Sequence, residues 1–137
     1  MRLIILSALI LLNLTSNAQE FKSFNDLFNS KKNPVVPKVY VAKDGFVYRE
    51  GDTLLLNIPI CGGDNFFFVE GNNLIGEYVK LNHEYCKTKF VIKSFQVVGN
   101  KKMGFRLKVK SKANGQGVNY SFDLENALQY NEVVRIK

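Results

Sequence analysis

His83 and Cys86 stand three residues apart, a spacing at which a free thiol and an imidazole could serve as nucleophile and base. No third group nearby announces itself to orient the ring, so His83 reads as an exposed turn histidine. It is the only histidine, and with two cysteines the chain falls short of the converging His and Cys ligands a metal site of that kind requires. Carboxylates offer a second chemistry: Glu50, Asp52, Asp64 and Glu70 sit by expected turns, where a facing pair could hydrolyse a glycoside. Turn chemistry already accounts for Asp52 after Gly51 and for Asp64 after Gly62 and Gly63. The Gly62-Gly63 and Gly115-Gln116-Gly117 stretches lack the Lys-Ser/Thr and helix that would make them phosphate loops. No catalytic residue, metal ligand set or cofactor is assigned.

The basic residues suggest binding instead. The formal net charge is +7, and the excess lies in the C-terminal half: Gln19 to Val79 holds 6 basic and 8 acidic residues, Lys80 to Lys137 holds 12 and 4. Phe105, Leu107 and Val109 alternate with Arg106, Lys108 and Lys110, which puts an apolar and a cationic row on opposite faces of one strand. Successive cations would lie about 6.6 Å apart, with Lys112 continuing the row and Lys101 and Lys102 extending it from the preceding turn. Such a row suits an acidic glycan, another anionic envelope component or nucleic acid; a charged solvent face that guards a sheet against mispairing is the ordinary alternative. Phe66-Phe67-Phe68 reads as a central buried strand, an exposed Phe67 being the alternative.

Strands must position these groups. Runs rich in β-branched and aromatic residues, punctuated by Gly, Asn and Asp, predict strands at Val39–Ala42, Phe46–Arg49, Thr53–Ile58, Phe66–Val69, Leu74–Leu81, Lys89–Val98, Gly104–Lys110, Val118–Phe122 and Val133–Ile136. One short helical turn is expected after Asp123, a capping residue. The fold class is therefore all-β, a small antiparallel barrel or a sandwich, forming a single domain over residues 38–137. Residues 19–37 read as a polar leader, with Phe21, Phe24, Leu27 and Phe28 on one helical face, followed by a linker whose Pro34 and Pro37 exclude a continuing helix.

Residues 1–18 have the order of a removable signal peptide: Arg2, an apolar run from Leu3 to Leu12, then small residues at Ser16 and Ala18. The run is too short for a stable membrane anchor, so no membrane-spanning segment is expected after cleavage. The expected location is periplasmic or secreted. Export permits a Cys61–Cys86 disulfide, which would close a loop of about 25 residues and stabilise by ~3 kcal/mol; two separate thiols are the alternative.

Two resemblances accompany this reading. Phe46-Val47-Tyr48-Arg49-Glu50-Gly51-Asp52-Thr53-Leu54 resembles the SH3 pattern of an aromatic strand end, a Gly-Asp turn and an apolar strand, and Asn73 to Val79 is similar to the closing strand of such barrels. It implies an SH3-like barrel without the usual proline-peptide ligand, because the chain has no Trp and carries Gly76 where the groove proline would stand. In general character the chain resembles small exported β-domain proteins of Bacteroidetes-type bacteria, whose signal peptides often end as Ala18-Gln19 does here. The expected function is a non-enzymatic binding or interaction domain whose partner is an acidic glycan, an envelope component or another protein. A small envelope hydrolase using the turn carboxylates and a purely structural envelope protein are the alternatives.

Overall fold

A computed structural model of the chain describes residues 21–72, 76–113 and 118–136. The segment expected to be a signal peptide, the Asn73-Leu74-Ile75 stretch and the expected turn at Asn114–Gly117 lie outside them, as do the side chains of Phe21, Cys61, Lys112 and Ala113.

Ten strands and two short helices follow in order: β1 (Phe21–Ser23), α1 (Phe24–Phe28), β2 (Val39–Val41), β3 (Val47–Arg49), β4 (Thr53–Leu56), β5 (Asn65–Asn72), β6 (Tyr78–Asn82), β7 (Lys89–Asn100), β8 (Gly104–Ala113), β9 (Asn119–Asp123), α2 (Leu124–Gln129) and β10 (Val133–Arg135). Each of the nine expected strands has a counterpart among them. Two sheets result, a three-stranded one ordered β1-β2-β3 and a seven-stranded antiparallel one ordered β10-β4-β7-β8-β9-β5-β6. The fold is an all-β sandwich, and the sheets do not close into a barrel.

The SH3-like expectation fails at one place. β3 and β4 flank the Glu50-Gly51-Asp52 turn but belong to different sheets, so Phe46–Leu54 is a crossover and not a hairpin. The turn is pinned to β7, where Gly51 N–H donates to Ile92 O and Ile92 N–H to Asp52 O, both at 2.8 Å. Asp52 Oδ2 accepts from Arg49 N–H at 2.8 Å, the turn role its position suggests.

Residues 21–28, read from sequence as a leader ahead of the domain, pack onto it. β1 pairs parallel to β2 with Lys22 opposite Tyr40. Ser23 and Asp26 form a reciprocal capping box that starts α1, and Leu27 is fully buried. Phe21 belongs to the strand, so only part of the expected helical face is helical. The core lies between the sheets, where period-2 alternation buries Phe105, Leu107 and Val109 of β8 against Phe90, Ile92, Phe95 and Phe122. Each such side chain contributes about 1.5–3 kcal/mol by leaving water.

The expected disulfide is not formed: Cys86 is a free thiol. It sits half-buried at the end of the His83–Tyr85 turn and packs against the core as a small apolar side chain, which gives it a place without a bridge. Among the described residues no helix is long and apolar enough to cross a membrane.

Candidate functional site

A concave cleft of about 440 Å³ opens beside the C-terminal strand, within the size range of small-ligand pockets. The β2–β3 turn forms one wall. There Asp44 Oδ1 accepts from Phe46 N–H at 2.8 Å, which fixes the turn, and Oδ2 accepts the Tyr48 hydroxyl at 2.7 Å. Gly45 takes a positive φ of 81° between them, a conformation that leaves this position to glycine. The opposite wall comes from α2 and β10, through Leu128, Val133 and Val134. As the sequence suggests, Asp123 caps α2, its Oδ1 accepting from Asn126 N–H at 3.1 Å.

Glu125, in the first turn of α2, is buried at the cleft floor. Its carboxylate accepts the Tyr40 hydroxyl at 2.7 Å and Lys43 N–H at 3.2 and 3.3 Å. Burial raises its pKa above the usual carboxylate value, and the bonds from Tyr40 and Lys43 oppose that rise. Burial also pushes the Tyr40 and Tyr48 phenols well above their ordinary range, with the bonded carboxylates adding to the effect. Both carboxylates are thus engaged in holding the small sheet to α2 and to its own turn.

The cations of the cleft are engaged differently. The Arg135 guanidinium lies 5.3 Å from the Phe46 ring centroid and 6.0 Å from that of Tyr48. Lys43 Nζ sits 4.1 Å over the Phe24 ring. Among the described residues neither has a carboxylate within ion-pair distance. Stacking on a ring holds a cation in place without neutralising it, and Phe46 is 53% exposed beside it. An apolar wall, two aromatic faces and an unneutralised guanidinium can hold an anion that carries an apolar body.

The sequence-derived cationic row stands elsewhere, on the outer face of the large sheet. β8 is an interior strand of that sheet, so its lysines do not guard an edge. Arg106 Nη1 meets Asp123 Oδ2 at 3.7 Å and Lys108 Nζ meets Glu70 Oε2 at 3.6 Å, while Lys80 shares Glu70 at 3.3 Å. Lys110 is exposed in the same row, Lys101 and Lys102 are exposed in the β7–β8 turn, and the side chain of Lys112 lies outside the described residues. The row exists, but two of its three described cations on β8 are balanced by carboxylates on β9 and β5.

Phe67 departs from the expected buried run. Phe66 points inward and is buried, whereas Phe67 takes the opposite face of the strand and is 65% exposed, in the stretch where the β5–β6 register shifts between Asn65 and Glu70. Lys80 crosses it instead, bonding Phe67 O and lying 5.8 Å from its ring.

The four turn carboxylates are not assembled. Asp52 serves its turn, Glu70 its lysines, Glu50 is exposed beside Gly51, and Asp64 offers its carbonyl to His83 N–H. His83 and Cys86 share only the turn bond from Cys86 N–H to His83 O at 3.0 Å. Among the described residues no three His, Cys, Asp or Glu side chains gather as a metal site. Sequence reasoning missed Phe46, Tyr48, Glu125 and Arg135 as a group; the available signal was an exposed aromatic beside a tight turn and a terminal arginine on an apolar strand. No family model, curated protein or solved structure matches the chain.

Proposed function

We propose that this chain is an exported, non-enzymatic binding domain that holds an anionic partner in the cleft between the β2–β3 turn and β10. One observation carries the reading: Arg135 is stacked on Phe46 and Tyr48 with no carboxylate in ion-pair distance among the described residues, in a cavity whose own carboxylates are committed to hydroxyl and backbone donors. A catalytic pair would need at least one carboxylate free to meet a substrate. Export rests on the arrangement of Arg2, the Leu3–Leu12 run and Ala18, and the mass of the protein recovered outside the cytoplasm tests it.

Ligand-observed NMR with a set of small aryl carboxylates and sulfates tests the cleft. Arg135→Gln and Phe46→Ala should each weaken the bound probes by about tenfold, the loss of one charge-assisted contact. Probes that bind both variants as they bind the parent chain would overturn the reading. A second reading, an acidic polymer laid along Lys101, Lys102 and Lys110, is favoured by the exposure of those three without a carboxylate in ion-pair distance among the described residues. It predicts that their charge reversal, and not Arg135→Gln, removes salt-sensitive binding.

A further inference from the structure

Two segments far apart in sequence meet at the tip of the β7–β8 hairpin. Gly104 closes that turn at a φ of 82°, and a Cβ there would lie 2.5 Å from the Phe28 ring, so the tip and the end of α1 are packed against each other. Each segment is also held by its own side chains. Asn100 Oδ1 accepts from Lys102 and Met103 N–H, both at 3.0 Å. Beyond α1, the Ser30 hydroxyl donates to Lys32 O at 2.7 Å and Asn29 Nδ2 to Asn25 O at 3.1 Å. An open groove of about 450 Å³ lies between the two, with Phe28, Lys31, Lys101, Lys102 and Met103 in its lining.

The charge here is of one sign. Residues 28–33 and 99–104 hold four lysines and no Asp or Glu. Lys31, Lys32, Lys101 and Lys102 are all exposed, and among the described residues none has a carboxylate in ion-pair distance. Farther along β8, Arg106 and Lys108 do have one. Among these lysines Met103 is 68% exposed and Phe28 38%. The Met103 backbone is bonded into the turn, so the fold itself holds this apolar side chain out in water.

We infer that this end of the molecule docks on an anionic lipid surface, with the four lysines at the headgroups and Met103 entering the apolar boundary beneath them. It goes beyond the cleft, with which it shares no lining residue. Charge complementarity selects an anionic partner, because lysines within a Debye length of a negative surface each add to binding. The apolar tip selects lipid over a soluble polyanion. An acidic glycan or nucleic acid would satisfy the lysines and leave Met103 in water, whereas a bilayer sets hydrocarbon directly beneath its anions.

The chain contains no tryptophan, so Met103→Trp places a single reporter at the tip. The protein is used as recovered outside the cytoplasm, so that the Leu3–Leu12 run does not itself enter lipid, with vesicles of phosphatidylcholine alone or mixed equally with phosphatidylglycerol. On the mixed vesicles the Met103→Trp emission should shift to the blue, and on phosphatidylcholine alone it should stay put. Cosedimentation of the parent chain should show the same preference and weaken as salt is raised. Changing Lys101 and Lys102 together to Gln should reduce vesicle affinity by about thirtyfold, and Met103→Gln by about tenfold. All three positions are exposed, so these changes leave the core untouched. Equal binding to both vesicle types, no binding to either, an unshifted emission, or a Met103→Gln variant that sediments as the parent does would each overturn the inference. Displacement by polyglutamate together with that last result would make this end a surface for soluble polyanions instead. Such a failure leaves the dependence of aryl probes on Arg135 standing, so the two readings fall separately.

Discussion

At the scale of single residues, the buried carboxylates define what the chain spends on structure. Glu132 is fully buried on the α2–β10 connection, with no cation in ion-pair distance among the described residues. Its Oε1 accepts from Phe67 N–H at 2.6 Å and its Oε2 from Phe68 N–H at 2.7 Å, which ties the start of β5 to the C-terminal connection. An amide in its place would turn one acceptor into a donor aimed at a backbone N–H. Glu132→Gln should therefore lower stability by about 1–3 kcal/mol, the cost of an unsatisfied buried group, measured by urea denaturation. A change within error would mean that the loop repacks around the amide. Nothing in the local sequence Tyr130-Asn131-Glu132-Val133 distinguishes this glutamate from a solvent-facing one, because both bonded N–H groups lie more than sixty residues away.

At the scale of elements, the β7–β8 hairpin shows how a turn can carry a tertiary contact. Asn100 Oδ1 accepts from Lys102 and Met103 N–H, both at 3.0 Å, and Gly104 closes the turn at a φ of 82°. A Cβ on Gly104 would collide with the Phe28 ring of α1 as well as strain the backbone. Gly104→Ala should cost about 1–3 kcal/mol in thermal or denaturant unfolding, and it should loosen α1, seen as faster amide exchange over residues 24–28. Unfolding of the variant at the parent midpoint would argue that α1 does not rest on this hairpin. The hairpin itself was legible from Gly99, Asn100 and the alternation of β8. Its contact with α1 was not, since Phe28 and Gly104 meet across more than seventy residues of chain.

At the scale of the whole molecule, the buried acids and phenols shape stability against pH. Glu125 holds its proton more tightly folded than unfolded, so its contribution to stability falls as pH rises from the ordinary 4.5 through the raised value. The difference in unfolding free energy between the parent and Glu125→Gln should therefore shift against the parent across that window, as read by denaturation at a series of pH values. A pH-independent difference would remove Glu125 from the account. The same sign holds in alkali: burial drives Tyr120 up to about 12, and Tyr40 and Tyr48 are raised as well. Above about pH 10 the unfolded chain ionises where the fold does not, so these phenolates should appear together with loss of the β circular-dichroism signal.

The sequence by itself determined the elements: strand positions follow from a period of two and from Gly, Asn and Asp turns, and the Asp123 cap and the inward and outward rows of β8 follow from the same local rules. Tertiary structure decided what alternation cannot encode. It decided that β3 and β4 part into different sheets, that the outward face of β5 at Phe67 stays uncovered, that Arg106 and Lys108 meet carboxylates on β9 and β5, and that Cys86 packs as a free thiol. It also brought Phe46 and Arg135 together. The reason is physical: local periodicity fixes which way a side chain points, while the neighbour it meets depends on strand order, which is set by the global balance of buried area and chain entropy.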